Sequence, residues 1–217
     1  MKMKKILAVA LVATMTMASC LTAFASGSGS GAAAGSSTST TSSKTSSTVT
    51  SIAFEEVKAA GTVMNVAGVD VATTIEGAYG ADTVAGMAVI TPMETAIAAL
   101  GLTDGQTPYV IAYDTDAKKS PLALEVVNFV ANAIGAEVVT TLNIELGAKQ
   151  NKMFRTLADG SIEMVIGIAD ADVTKTYSVI CVQPGGVMTL LEDKDLVANT
   201  ITIDVQAGLA AYAIIAK

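Results

Sequence analysis

The chain contains no histidine at any of its 217 positions. That absence excludes Ser-His-Asp and Cys-His catalysis, the usual zinc sites and an imidazole general base. It also has no tryptophan, five tyrosines and four phenylalanines. Sugar recognition leans on flat aromatic platforms, so a lectin or carbohydrase has few residues to work with. There are two cysteines, Cys20 and Cys181, and Cys20 falls in an expected leader. A mature chain with one thiol has no internal disulfide, and its stability must come from packing. No segment after the leader is long and apolar enough to span a bilayer.

What is present first is an export signal. Lys2, Lys4 and Lys5 precede an apolar run from Ile6 to Val12, and Ala23-Phe24-Ala25 offers a small-x-small cleavage site. The order predicts a signal peptide over residues 1–25. Met17-Ala18-Ser19-Cys20 also approximates a lipobox, with Met17 where leucine is usual, so Cys20 is a candidate lipidation site and lipid anchor. Three of the 13 basic residues and none of the 20 acidic ones lie in the leader, so its removal leaves 10 against 20 and a net charge of −10. Such a surface repels phosphate backbones and anionic membranes, which disfavours nucleic acid as a partner.

Residues 26–50 are nearly all Ser, Thr, Gly and Ala, with one charge at Lys44. They bury too little apolar area to offset chain entropy, and a disordered linker with a reach of roughly 25–30 Å is expected. Gly27-Ser28-Gly29-Ser30-Gly31 mimics a phosphate loop but follows no strand and opens no helix.

Residues 51–217 are expected to form one extracellular domain, with strands and a helix over 51–108 and a helix plus antiparallel strands over 109–217. Thr62–Ala72 reads as one or two short strands broken near Gly68, and Ala81–Ile90 as a weak strand containing Gly86. Thr91-Pro92-Met93-Glu94 predicts a capping box opening a helix over about 92–100 that stops at Gly101. Thr107–Tyr113 is a strand with Tyr109, Ile111 and Tyr113 on one face. Pro121 opens a second helix to residue 134. Leu122, Val126, Phe129, Val130 and Ala133 form its apolar stripe, and Gly135 ends it.

The last third is strand-rich. Glu137–Leu146 alternates. Lys152–Leu157 and Ser161–Ile168 flank Asp159-Gly160, a hairpin signal. Tyr177–Gln183 and Val187–Leu191 flank Pro184-Gly185-Gly186, and Asn199–Val205 and Leu209–Ala216 flank a short connection at Gly208. Successive hairpins predict an α+β fold with an antiparallel, β-sandwich-like C-terminal part, without repeated parallel crossovers.

Ile162–Ile168, Thr176–Val182 with Pro184-Gly185-Gly186, and Asn199–Ile203 with Ala211–Ile215 carry a resemblance. The stretch Glu137–Lys217 resembles the β-rich modules that end many secreted and surface proteins of Gram-positive bacteria. Many of these have an aromatic and a Ser or Thr before the closing Tyr-Ala, where this chain has Leu209 and Ala210. The resemblance implies extracellular display and a β-sandwich, and it implies no catalytic residues.

The remaining candidates for chemistry are few. Cys181 sits in an alternating apolar strand and reads as a buried small hydrophobe. Asp114-x-Asp116, Asp170-x-Asp172 and Glu192-Asp193-x-Asp195 resemble calcium ligands but miss the EF-hand spacing, and read as solvated turns. Twenty acids make some carboxylate pair inevitable, so a carboxylate-only hydrolase stays open as an alternative. Tyr109 and Tyr113 are the visible candidates for a ligand face, against packing within the sheet. The reading is a non-catalytic exported module with a binding or structural role and no cofactor. Its partner would lie outside the cell or at its surface. A small-ligand lipoprotein is the third reading.

Overall fold

The computed structural model describes residues 57–195 and 197–217, all within one compact unit of the chain. The expected leader, linker and Cys20 lie outside the described residues. Twelve strands and two helices follow in the described part. First comes a small hairpin, β1 (Val63–Val66) and β2 (Val69–Ala72), turning at Ala67-Gly68, both at positive φ. Next are β3 (Glu76–Gly80), β4 (Met87–Val89), α1 (Met93–Ala99) and β5 (Gln106–Asp114). After α2 (Pro121–Ala133) the chain is all strand: β6 (Glu137–Gln150), β7 (Met153–Thr156), β8 (Ser161–Gly167), β9 (Tyr177–Val182), β10 (Met188–Glu192), β11 (Thr200–Gln206) and β12 (Gly208–Ala216).

Two larger sheets result. One has seven strands in the order β10-β9-β12-β6-β5-β3, with β7 beside the C-terminal end of β6; the other is β11-β8-β4. Alternation along each strand sends one row of apolar side chains into the space between them. Val110, Ala112, Leu142, Ile144, Leu146, Val179, Tyr212 and Ile214 come from the larger sheet, and Met164, Ile166, Ile201, Ile203 and Val205 from the smaller. Ala96 of α1 and Leu100 at its C-terminal end close one end of this core. The architecture is β-rich with two helices and several antiparallel sheets, compatible with the expected α+β sandwich.

Each large sheet carries a further cover. The β1–β2 hairpin sits over the smaller sheet, where Val66, Ala88 and Val165 form a small cluster. Across the outer face of the larger sheet lies α2, but only over β9, β12 and β6. Among the described residues no helix packs on the parts of that outer face built from β5, β3 and β7.

Several expectations are corrected. The α2 stripe is rotated: Leu122 is 74% and Phe129 69% exposed, while Val127 and Ala131 are buried with Ala123, Val126, Val130 and Ile134 beside them. Glu125, Asn128 and Asn132 form a polar stripe, the buried residues lie opposite it, and Leu122 and Phe129 border the polar side. Ala211 and Ala213 leave room for the slim Ala123–Val127–Ala131 side to approach the sheet. The Thr91 cap is also absent. No side-chain hydrogen bond caps α1, and the Thr91 hydroxyl accepts instead from the Glu163 backbone N–H at 2.7 Å. Ile90 donates to the Glu163 carbonyl at 3.0 Å, so Thr91 continues the β4–β8 ladder by one more rung.

Two expected hairpins are corners between sheets. β7 pairs with β6 and β8 with β11, so Asp159-Gly160 carries the chain from one sheet to the other. Gly160 (φ 104) has the Ala99 carbonyl 2.5 Å from where a Cβ would stand, so only glycine passes there. The β6–β7 hairpin instead turns on Asn151-Lys152, both left-handed (φ 51 and 63), a two-residue loop that matches strand twist. β11 and β12 likewise belong to different sheets, and the Gln206 N–H donates to the buried Tyr212 hydroxyl at 2.8 Å to hold that corner. The turn at Pro184-Gly185-Gly186 does join a hairpin, β9–β10. One strand pair is parallel, β3 with β5, joined through β4 and α1.

Candidate functional site

The part of the larger sheet's outer face beyond α2 begins with residue types. Along β5, Tyr109, Ile111 and Tyr113 point away from the core, as alternation requires, while Val110 and Ala112 point into it. On β6 the outward residues beside them are Asn143, Glu145, Gly147 and Lys149, and on β3 they are Glu76 and Ala78. This face therefore mixes aromatic, aliphatic, polar and charged groups, with Tyr109, Ile111, Tyr113, Glu145 and Lys149 half-buried, where the α2 face is purely aliphatic.

Gly147 shapes it. A Cβ there would stand 2.4 Å from the Phe154 ring and 2.4 Å from the Arg155 carbonyl. Its absence lets the ring lie across β6 and meet Tyr109 edge-on, with centroids 5.9 Å apart and planes at 68°. On the other side of Tyr109, the Lys149 ammonium stands 5.2 Å from the ring centroid. Lys149 then reaches over β5 to donate to Glu76 Oε1 at 2.6 Å. Burial pushes the Tyr109 hydroxyl above its ordinary pKa; Lys149 opposes this and Glu76 adds to it. The hydrogen bond to Glu76 raises the Lys149 ammonium in turn.

These side chains frame a shallow hollow of about 200 Å³, lined by Val57, Ala78, Tyr109, Ile111, Lys149, Lys152 and Phe154. Lys152 enters it from the tight β6–β7 turn. Among the described residues Lys152 has no ion pair, whereas Lys149 is held by Glu76. The Lys149–Glu76 pair is a third exposed on each side, so Lys149→Met should change stability by less than about 1 kcal/mol in a urea titration. A larger loss would show the pair to be structural.

Of the two tyrosines that the sequence singles out, only Tyr109 lines the hollow. Tyr113 shares its face but stands near Glu145, whose charge adds to burial in raising its pKa. The sequence reading missed Lys149, Lys152, Phe154, Ala78 and Val57. A signal for the first three existed in Asn151-Lys152, a tight-turn pair between two alternating runs, which places Lys149 and Phe154 opposite each other.

The acidic clusters have other partners. Asp114 takes the Asp82 N–H at 2.8 Å, the Thr83 N–H at 3.3 Å and the Thr83 hydroxyl. Asp116 accepts from the Lys118 N–H, and Asp172 from the Thr174 N–H and hydroxyl. Those Thr174 bonds lower the Asp172 pKa. Asp193 and Asp195 both grip Thr202, through its N–H at 2.9 Å and its hydroxyl at 2.5 Å. Burial raises the Asp193 carboxyl. Among the described residues no three His, Cys, Asp or Glu side chains gather as a metal site would require.

Cys181 is 1% exposed and stands directly across from Tyr212 in the core. Burial raises its thiol, against a hydrogen bond with Tyr212 that lowers it. Such a thiol is a poor nucleophile at neutral pH. No helix among the described residues is long and apolar enough to cross a membrane. No known family, curated protein or solved structure matches this chain.

Proposed function

We propose that the chain is an exported, non-catalytic module of the cell surface or extracellular space, and that its role is binding through the hollow beside Tyr109. One observation carries the binding half. The larger sheet covers its outer face with α2 over β9, β12 and β6, and leaves a concave spot floored by Tyr109, Ile111 and Phe154. Aromatic groups left half-buried in a concavity, with cations at the rim, are what a small recognition site uses. Support for the non-catalytic half comes from a sequence without imidazole and from acidic clusters whose oxygens serve their own turns.

Export rests on the basic, apolar and Ala-Phe-Ala order of the first 25 residues, and display on the Ser/Thr/Gly-rich linker that follows. The kinship to Gram-positive surface modules is part of the same proposal, on the strength of the strand motifs of Glu137–Lys217. The finer description of the fold as an α+β sandwich module belongs with it. The small-ligand lipoprotein is the second reading that the hollow favours, and it differs only at the N-terminus.

Intact mass of the protein recovered from an expressing Gram-positive host decides between them. A chain beginning at Ser26 in the medium is the expected result. A membrane-held chain beginning at a diacylglyceryl Cys20 would select the lipoprotein. A chain retained in the cytoplasm with Met1 in place would contradict export altogether.

A further inference from the structure

The hollow says something about its ligand, and this inference rests on the binding role proposed above. Its volume of about 200 Å³ is below the roughly 300–1,000 Å³ of pockets that enclose a whole drug-sized molecule. It takes one ring or one branched side chain. The walls choose a ring: Tyr109 and Phe154 already meet edge-on, and a third ring against Phe154 and Ile111 extends the same packing.

The rim chooses a charge. Glu76, which pairs with Tyr109 in register, has its carboxylate tied to Lys149, and Lys149 also stands by the Tyr109 ring. That neutralised pair leaves Lys152 as the lining group with an uncommitted cation among the described residues. The turn fixes where Lys152 stands, because Asn151 and Lys152 are both left-handed and Gln150 pairs directly with Met153. A cationic spot on a protein with 20 acidic and 13 basic residues is an exception to its own surface. An anion repelled elsewhere finds its favourable potential here.

We infer that the hollow recognises a single aromatic ring bearing a nearby carboxylate, with the ring against Phe154 and Tyr109 and the carboxylate on Lys152. The contact is a charge-assisted hydrogen bond at the rim of an apolar recess. One ring and one exposed ion pair make a weak site, with a dissociation constant on the order of 1 mM for the isolated group.

The test uses two probes of equal shape, 3-phenylpropionate and the uncharged 3-phenylpropanol. Each is titrated to about 10 mM, well above the expected constant, against the full chain as its host exports it. Backbone and aromatic NMR shifts provide the readout. The expected result is saturable movement of Tyr109, Ile111, Lys152 and Phe154 signals with the acid, and a several-fold weaker response to the alcohol. Lys152→Gln should weaken the acid about three- to fivefold and leave the alcohol unchanged. Lys152 is solvent-facing, so this variant keeps the fold, and an unchanged spectrum away from the turn verifies that. Equal binding of acid and alcohol would overturn the carboxylate assignment while leaving the hollow as a binding site. No saturable shift at these residues with either probe would overturn both. Saturation at another surface would also overturn both.

Discussion

Gly86→Ala is expected to destabilise the protein by about 2–5 kcal/mol. Gly86 has φ +84, and a Cβ there would stand 1.9 Å from the Asn65 carbonyl oxygen, which is backbone and cannot swing aside. The same few atoms join three elements. Gly167 N–H donates to the Gly86 carbonyl at 2.8 Å, Ala85 N–H to the Gly167 carbonyl at 2.9 Å, and Ala67 N–H to the Ala85 carbonyl at 2.6 Å. The substitution therefore pushes the β1–β2 turn off the end of β8. Gly185→Ala supplies the control. Its φ of +86 is nearly the same, but nothing lies within 4 Å of the added carbon, so only backbone strain of about 1 kcal/mol is expected. Urea midpoints of the two variants should differ several-fold in shift. Equal shifts would show that the close approach at Gly86 does not exist in solution.

The second large effect is alkaline. Burial pushes the Tyr79 hydroxyl up to about 12, and burial also raises Tyr212, further than Tyr79. Both phenols are nearly inaccessible, at 6% and 0% exposure. In the unfolded chain each ionises near the ordinary tyrosine value of 10.0. The folded values are higher, so above pH 10 the unfolded state has lost protons that the native state keeps. The stabilisation is complete below pH 10 and is lost as pH rises toward and through the folded values. The slope approaches about 2.7 kcal/mol per pH unit for the two residues together, since one group contributes about 1.4. The raised Cys181 thiol, the raised hydroxyls of Tyr109 and Tyr113 and the raised ammonium groups of Lys149, Lys175 and Lys194 act in the same direction, the exposed ones screened by solvent. Urea unfolding at successive pH values from 9 to 12 measures the slope, and Tyr79→Phe should lower it by up to about 1.4 kcal/mol per pH unit. A flat profile through this range would mean that neither phenol is buried as described.

Local chemistry was legible in the chain wherever one residue decides the geometry. Pro121 opens α2 and Gly135 follows its end, and the Pro184-Gly185-Gly186 turn joins β9 to β10. Alternation placed Tyr109, Ile111 and Tyr113 on a common face. Pairing was less legible, because a strand's sequence records which residues face inward and not which neighbour lies beside it. Asp159-Gly160 and Gly208 carry ordinary turn signals, yet both turn the chain from one sheet into another. Thr91 shows the same competition at one side chain: a hydroxyl suited to cap α1 is claimed by the Glu163 N–H, because β8 lies within reach. The hollow escaped the sequence reading for a related reason. Its ring pair joins residues 45 positions apart, Tyr109 and Phe154, and exists only because Gly147 between them has no side chain.

The exposed face of α2 was legible in its polar residues. Leu122 and Phe129 lie at helical spacing but border the polar row of Glu125, Asn128 and Asn132, which faces solvent. The narrower row of Ala123, Val127 and Ala131 allows a closer approach to Ala211 and Ala213, and the wider residues are left outside.

A crystal structure of the exported protein grown with 3-phenylpropionate tests the binding account most directly. The ring is expected against Tyr109 and Phe154, with the carboxylate at hydrogen-bond distance from Lys152 Nζ. A hollow empty at a concentration well above the expected constant, or one already filled by another part of the chain, would contradict it.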